Sequence, residues 1–183
     1  MASKIKVDQL QTVDGSGTIA LQNQLSGMTT ASLPTVTTDK LGTGAVLQVV
    51  SASLQDEAST TSGSFVSSGL TATITPSSAS NKILVTMSVA FESTSSGNAV
   101  ATIFRGTISD TNLGGNLYGY GYHKVGTAGN ASATELDSPN TTSAQTYTVG
   151  IRNDSSGNTN ICNGSGTNAN TSRSTLTLME IAG

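Results

Sequence analysis

A strict two-residue alternation constrains this chain more than any other feature. In KILVTMSVAFE, Ile83, Val85, Met87, Val89 and Phe91 fall on one face of an extended segment. Thr86, Ser88 and Glu92 fall on the other, with Leu84 and Ala90. A period of two belongs to a β-strand with one buried face. It recurs in LTATIT, where Leu70, Ala72 and Ile74 alternate with Thr71, Thr73 and Thr75, and in QTYTVGIR, where Tyr147, Val149 and Ile151 alternate with Thr146, Thr148 and Arg152. Threonine is β-branched and itself favours extended chain. No stretch of comparable length carries a helical stripe. Turn-forming clusters separate the runs: SSGN at 95–98, LGGN at 113–116, NDSSGN at 153–158 and NGSGTNAN at 163–170. The pattern predicts strands at 4–13, 18–25, 46–54, 64–75, 82–92, 99–106, 117–125, 145–152, 158–162 and 174–182. Short strands at regular spacing predict an all-β chain, an antiparallel β-sandwich or jelly roll. Gly119 and Gly121 weaken 117–125 as a strand. Residues 126–144 carry no pattern.

Composition narrows the chemistry. Of 183 residues, 56 are Ser or Thr, while only 10% are charged, against roughly 25% in an average soluble protein. Hydrophobic residues make up 35%, and the net charge is only −3, which does not match the high-charge signature of disorder. One Cys excludes an internal disulfide framework. One Cys and one His are too few for the usual zinc sites, so no metal or cofactor is expected. Eight Lys plus Arg against eleven Asp plus Glu suggest no nucleic-acid surface. No apolar run approaches the roughly 20 residues of a membrane span, so no membrane insertion is expected. The start, MASKIKVDQL, has no apolar stretch after its lysines and does not read as a secretory signal.

The chain divides into an arm and connector at 1–42 and a globular domain at 43–183. The arm holds KIKVDQLQTV and TIALQNQL around Asp14-Gly15, a strong hairpin signal. An isolated hairpin is marginal in water. Ile5, Val7, Ile19, Leu21 and Leu25 therefore need a partner surface: their own domain, a copy of the chain or another protein. The arm reads as an assembly element.

Chemistry-bearing residues are few. His123 is the sole imidazole, and no G-x-S-x-G elbow accompanies it, so it reads as a surface or interface residue. Asp56 and Glu57 are neighbours that a strand would point to opposite faces. Glu135 and Asp137 would share a face, in a polar segment where acids are ordinarily solvated. Cys162 reads as a small buried hydrophobe. No catalytic residue is assigned, and the chain is not expected to be an enzyme. Tyr118, Tyr120 and Tyr122 would stand on one strand face with glycines behind them. Such a strip suits a ligand platform, a subunit interface or a core strip. Several Asn-x-Ser/Thr triplets, such as Asn130-Ala131-Ser132, match the glycosylation pattern by chance in so polar a chain.

The block from Gly44 to Phe91, above all ITPSSASNKILV at 74–85 with Phe65 and Leu70 before it, resembles a recurrent domain of tailed-bacteriophage virion proteins often labelled tail fibres. YTVGIRNDSSGNTNICNG and STLTLMEIAG are similar to the last strands of that family, which usually carries Tyr or Val where Cys162 stands. The opening, SKIKVDQLQTVDGSGTIALQNQLSG, is similar to N-terminal segments of fibre-like proteins in phages of marine bacteria and cyanobacteria. Residues 107–144 match no such motif. The resemblance implies a jelly roll like that of tumour necrosis factor, a homotrimer, a place on the virion surface and no catalytic residues. It leaves two functions open. One is a tail fibre or adhesin that recognises a host-surface glycan or protein. The other is a head decoration or cement protein on the capsid, favoured by the shortness of the chain. A capsule depolymerase would call for a long β-solenoid, and no such repeat is present.

Overall fold

The computed structural model describes residues 41–93, 97–115, 118–120, 122–124, 128–154, 159–163 and 172–183. The strands expected at 4–13 and 18–25, with Ile5, Val7, Ile19, Leu21 and Leu25, lie outside the described residues. All the regular structure described is β: β1 (Val46–Leu54), β2 (Ala58–Thr60), β3 (Val66–Ile74), β4 (Lys82–Ser93), β5 (Asn98–Arg105), β6 (Thr111–Asn112), β7 (Tyr122–Lys124), β8 (Ala128–Asp137), β9 (Gln145–Asn153), β10 (Asn160–Cys162) and β11 (Ser174–Ile181).

Two antiparallel sheets result. The first runs β1-β11-β4-β8, with β2 and β10 extending it beside the far end of β4. The second runs β3-β9-β5, and β6 and β7 pair with opposite ends of β5. The links β2 to β3, β3 to β4, β4 to β5, β7 to β8, β8 to β9 and β9 to β10 each cross between the sheets. That wrapping makes a jelly-roll sandwich, the fold class expected.

The alternation read from the sequence supplies the core. Leu70, Ala72 and Ile74 of β3 and Tyr147, Val149 and Ile151 of β9 face Ile83, Val85, Met87 and Val89 of β4 and Leu176 and Leu178 of β11. All are buried, and each large one contributes about 1.5–3 kcal/mol by leaving water. β3 is interrupted where Gly69 adopts φ +85°, and the register with β9 slips between Ser67 and Thr71. The Ser68 hydroxyl donates to the Val149 carbonyl at 2.9 Å and accepts from Leu70 N–H, replacing ladder bonds lost at the slip.

Two segments differ from expectation. Residues 128–137, patternless in sequence, form the ten-residue β8 along β4. The strand expected over 117–125 begins only at Tyr122. Before it the chain turns at Gly119, φ +53°, and lies against β5. A Cβ at Gly119 would sit 2.5 Å from the Ala101 carbonyl oxygen, and Tyr120 N–H donates to that same oxygen at 3.2 Å. Glycine here serves a close turn rather than a flat strand.

Candidate functional site

The sandwich has two outer faces, and they are built differently. In an antiparallel ladder, residues directly opposite share a face, so the registers give rows across the first sheet. One row is Val49, Met179, Leu84 and Leu136; the next is Ser51, Thr177, Thr86 and Thr134; a third is Ser53, Thr175, Ser88 and Ser132. Val46 and Ile181 extend the apolar end, beside Lys82. Lys82 is the single charge among the described side chains of these rows. Val49 is 56% exposed and Leu136 47%. The hydroxyl rows are partly satisfied within the sheet: Ser51 bonds Thr177 at 3.1 Å, and the Asn130 amide donates to Ser88 at 3.0 Å. The result is a face of short side chains with one apolar band and almost no charge.

The outer face of the second sheet is covered by its own chain. Phe65 lies edge-on to Phe104, ring centroids 5.5 Å apart, above Gly150. The Arg152 guanidinium stacks 5.3 Å from the Phe65 ring centre and donates to the Gly63 carbonyl at 3.1 Å. Beyond this cover an open pocket of about 760 Å³ lies over β3 and β9, walled by the loop from Gly106 to Thr111 and by Ala144 and Gln145.

Two buried carboxylate clusters tie the sandwich together. Glu180, fully buried on β11, accepts from Ser77 N–H at 2.6 Å, the Ser77 hydroxyl at 2.8 Å, the Asn81 amide at 2.6 Å and the Gln48 amide at 2.6 Å. Burial pushes this carboxyl up, but the donors from Asn81, Gln48 and Ser77 outweigh it and hold it below its ordinary range. The most distinctive stretch of the sequence, at 74–85, is thus the turn that clamps Glu180. At the other cluster, Asp137 of β8 takes Arg105 Nη1 on both oxygens, at 2.9 and 3.0 Å, and the Tyr147 hydroxyl at 2.8 Å. Burial, then the bond to Asp137, drive the Tyr147 phenol far above its usual range.

The candidate residues are scattered. Glu135 and Asp137 do share a face, but neither is a free surface acid: Glu135 accepts the Tyr120 hydroxyl at 3.1 Å. That bond and burial make the Tyr120 phenol a weaker acid, burial being the larger cause. Tyr120 packs against the core while Tyr118 is 50% exposed, so the two do not stand on one strand face. Tyr122 pairs with Val100 and His123 with Ala99 through their backbones. Asp56 lends its carbonyl to the Asn163 amide at 3.2 Å, and Glu57 lies beside it before β2. Cys162 is buried, 3.7 Å from the Ser174 hydroxyl, and burial raises its thiol. Among the described residues no three His, Cys, Asp or Glu side chains gather as a metal site would require. No helix among them is long and apolar enough to cross a membrane.

The fold and surface define an all-β jelly-roll domain with one nearly uncharged face and one covered, pocketed face. The chain matches no family model and no curated protein. Among solved structures it is similar to the VP2 protein of infectious bursal disease virus in derived T=1 particles. The TM-score is 0.43 and the identity 14%, over 82% of this chain and 41% of that one. A structure of the whole infectious bursal disease virus particle matches with TM-score 0.44 and 13% identity, over 82% and 40%. A VP2 subviral particle matches with TM-score 0.40 and 12% identity, over 74% and 38%. The chain thus spans about two fifths of the length of the structures it matches.

Proposed function

We propose that this chain is a structural component of a virion: a short trimeric tail fibre or adhesin, held to the particle by residues 1–42, with its sandwich at 43–183 turned towards the host. The observation that carries the reading is the outer face of β1-β11-β4-β8. Its apolar band, Val49, Met179, Leu84 and Leu136, crosses every strand, and its other rows are hydroxyls. An exposed apolar band on a nearly charge-free sheet marks an interaction surface. A neighbouring copy can pack on it with few charges to desolvate, Lys82 being the single one in these rows. Three copies, each turning this face towards a common threefold axis and touching both neighbours through different parts of it, make the trimer. The resemblance of residues 44–91, 147–164 and 174–183 to phage virion domains supports the virion setting.

Light scattering of the full chain at micromolar concentration is expected to give three times its 18.4 kDa mass. A monomeric mass removes the trimer. Images of whole particles carrying labelled chain are expected to show the label on the tail. Label on the capsid shell would replace the fibre reading with a head decoration.

A further inference from the structure

We propose that the pocket over β3 and β9 is a binding site for a neutral sugar unit, an assignment that rests on the host-facing reading above and gives that face a ligand class. The pocket, about 760 Å³, lies within the roughly 300–1,000 Å³ of small-molecule sites. Its floor is four hydroxyls: Ser67 and Thr71 of β3, Thr146 and Thr148 of β9. A hydroxyl both donates and accepts, so a row of them matches a polyol whose own groups do the same. Two are already oriented. Thr148 donates to the Gly106 carbonyl at 2.7 Å, and Thr146 shares a bond with Thr73 at 2.8 Å.

The wall is a built loop. Asp110 Oδ2 accepts from Thr107 N–H at 2.7 Å and the Thr107 hydroxyl at 2.8 Å. Gly106 stands at φ +99°, and a Cβ there would meet the Asp110 carboxylate at 2.5 Å. The loop therefore holds its carboxylate against the pocket only with glycine at its start. Asp110 Oδ1 remains to accept from a sugar hydroxyl, the kind of charge-assisted bond that is stronger than a neutral one.

Charge selects the ligand. Arg105 lines the pocket, but its Nη1 is bonded to both Asp137 oxygens, which offsets much of its charge. Asp110 repels an anion. One carboxylate alone is too few ligands for a hard cation, which takes six or more oxygens. What remains is an uncharged, hydroxyl-rich molecule, with Ile108 and Ala144 offering small apolar contacts to its ring carbons.

The test is ligand-observed saturation-transfer NMR on the full chain with glucose, galactose and mannose, and with sialic acid as the charged contrast. At least one neutral hexose is expected to bind, and sialic acid is not. Thr71→Val removes one hydroxyl from an exposed strand position without changing its shape, and is expected to weaken binding about fivefold. Asp110→Asn is expected to weaken it at least tenfold, and Ser59→Ala, on the other sheet, not at all. The proposal is overturned if no neutral hexose binds, if sialic acid binds better, or if both pocket variants bind like the parent chain. Particle images separate the two ideas. Tail label without sugar binding sinks the pocket and keeps the host-facing reading; sugar binding by a chain found on the capsid shell keeps the pocket and sinks that reading.

Discussion

The two outer faces of the sandwich start from the same sequence rule and end as opposites. Both sheets put apolar residues inward at every second position. Outward, β1, β4, β8 and β11 carry short hydroxyl residues and an uncovered apolar band. Outward from β5 and β9, by contrast, Val100, Thr102, Phe104, Thr148 and Arg152 are all buried. The chain's own loops, through Phe65 and the turn at Gly119, lie over this second face. Among the described residues, one outer face is covered from within, and the other keeps its apolar band about half exposed.

The largest expected effect attacks the covered face. A Cβ at Gly150 would stand 2.6 Å from Phe104 Cε2, in a place that Phe65 also closes. Gly150→Val should therefore lower stability by about 3 kcal/mol through overpacking, read as the shift in urea midpoint at unchanged slope. An unchanged midpoint would mean that the phenylalanine cover is loose, and the contrast between the faces would weaken.

The next effect concerns the clamp that joins the sheets at one end. Glu180→Gln turns an acceptor of four bonds into an amide whose N–H groups meet other donors, and should cost about 1.5–3 kcal/mol. The native chain should also lose stability in acid. The Glu180 carboxyl ionises at lower pH when folded than when unfolded, where its value is near 4.5. Its contribution is therefore fully present above that pH and disappears as pH falls through the lower folded value. Glu180→Gln should flatten this part of the stability profile. A variant with the same acid slope as the parent would assign that slope to other carboxylates.

This clamp also shows how far the sequence could be read. The strand at 174–182 was legible, but nothing local to it announced the role of Glu180, which shares its inward face with Leu176 and Leu178. The donors themselves, Ser77 and Asn81, sit about a hundred residues away, and only the fold brings them there. Strands β3, β4 and β9 were legible from runs of alternating inward apolar residues, Leu70, Ala72 and Ile74, then Ile83, Val85, Met87 and Val89, then Tyr147, Val149 and Ile151. β8 was not: its inward positions Ala131, Ala133, Glu135 and Asp137 include nothing larger than alanine among the apolar ones. Its acids are satisfied by Tyr120, Tyr147 and Arg105, partners no local pattern announces. The tyrosine segment misled for a related reason. Alternating Tyr and Gly fits a strand in projection, but Gly119 takes the positive φ that turns the chain onto β5.

A smaller effect probes the seam where that turn meets β8. Tyr120→Phe removes the hydroxyl that donates to Glu135 while keeping the ring against the core. The loss should be about 1 kcal/mol, one hydrogen bond's net worth, seen as a modest drop in thermal midpoint. A drop as large as that of Gly150→Val would place the tyrosine at the centre of the cover rather than at its edge.

The smallest effect on the single chain is the sharpest test of the uncovered face. Val49 and Leu136 end the apolar band on opposite edge strands and are about half exposed. Replacing both with Lys puts two charges on a solvent-facing sheet, where substitutions usually change stability by less than about 0.5 kcal/mol. If the band packs against copies of itself, the same charges face one another without partners, and light scattering should show the trimer falling to monomer. The salt dependence discriminates further. Repulsion between exposed lysines is screened over about 8 Å at physiological ionic strength, so added salt should partly restore the trimer. A folded double variant that stays trimeric would show that this face is not where copies meet. The two faces would then differ in what covers them within the chain but not in what they do.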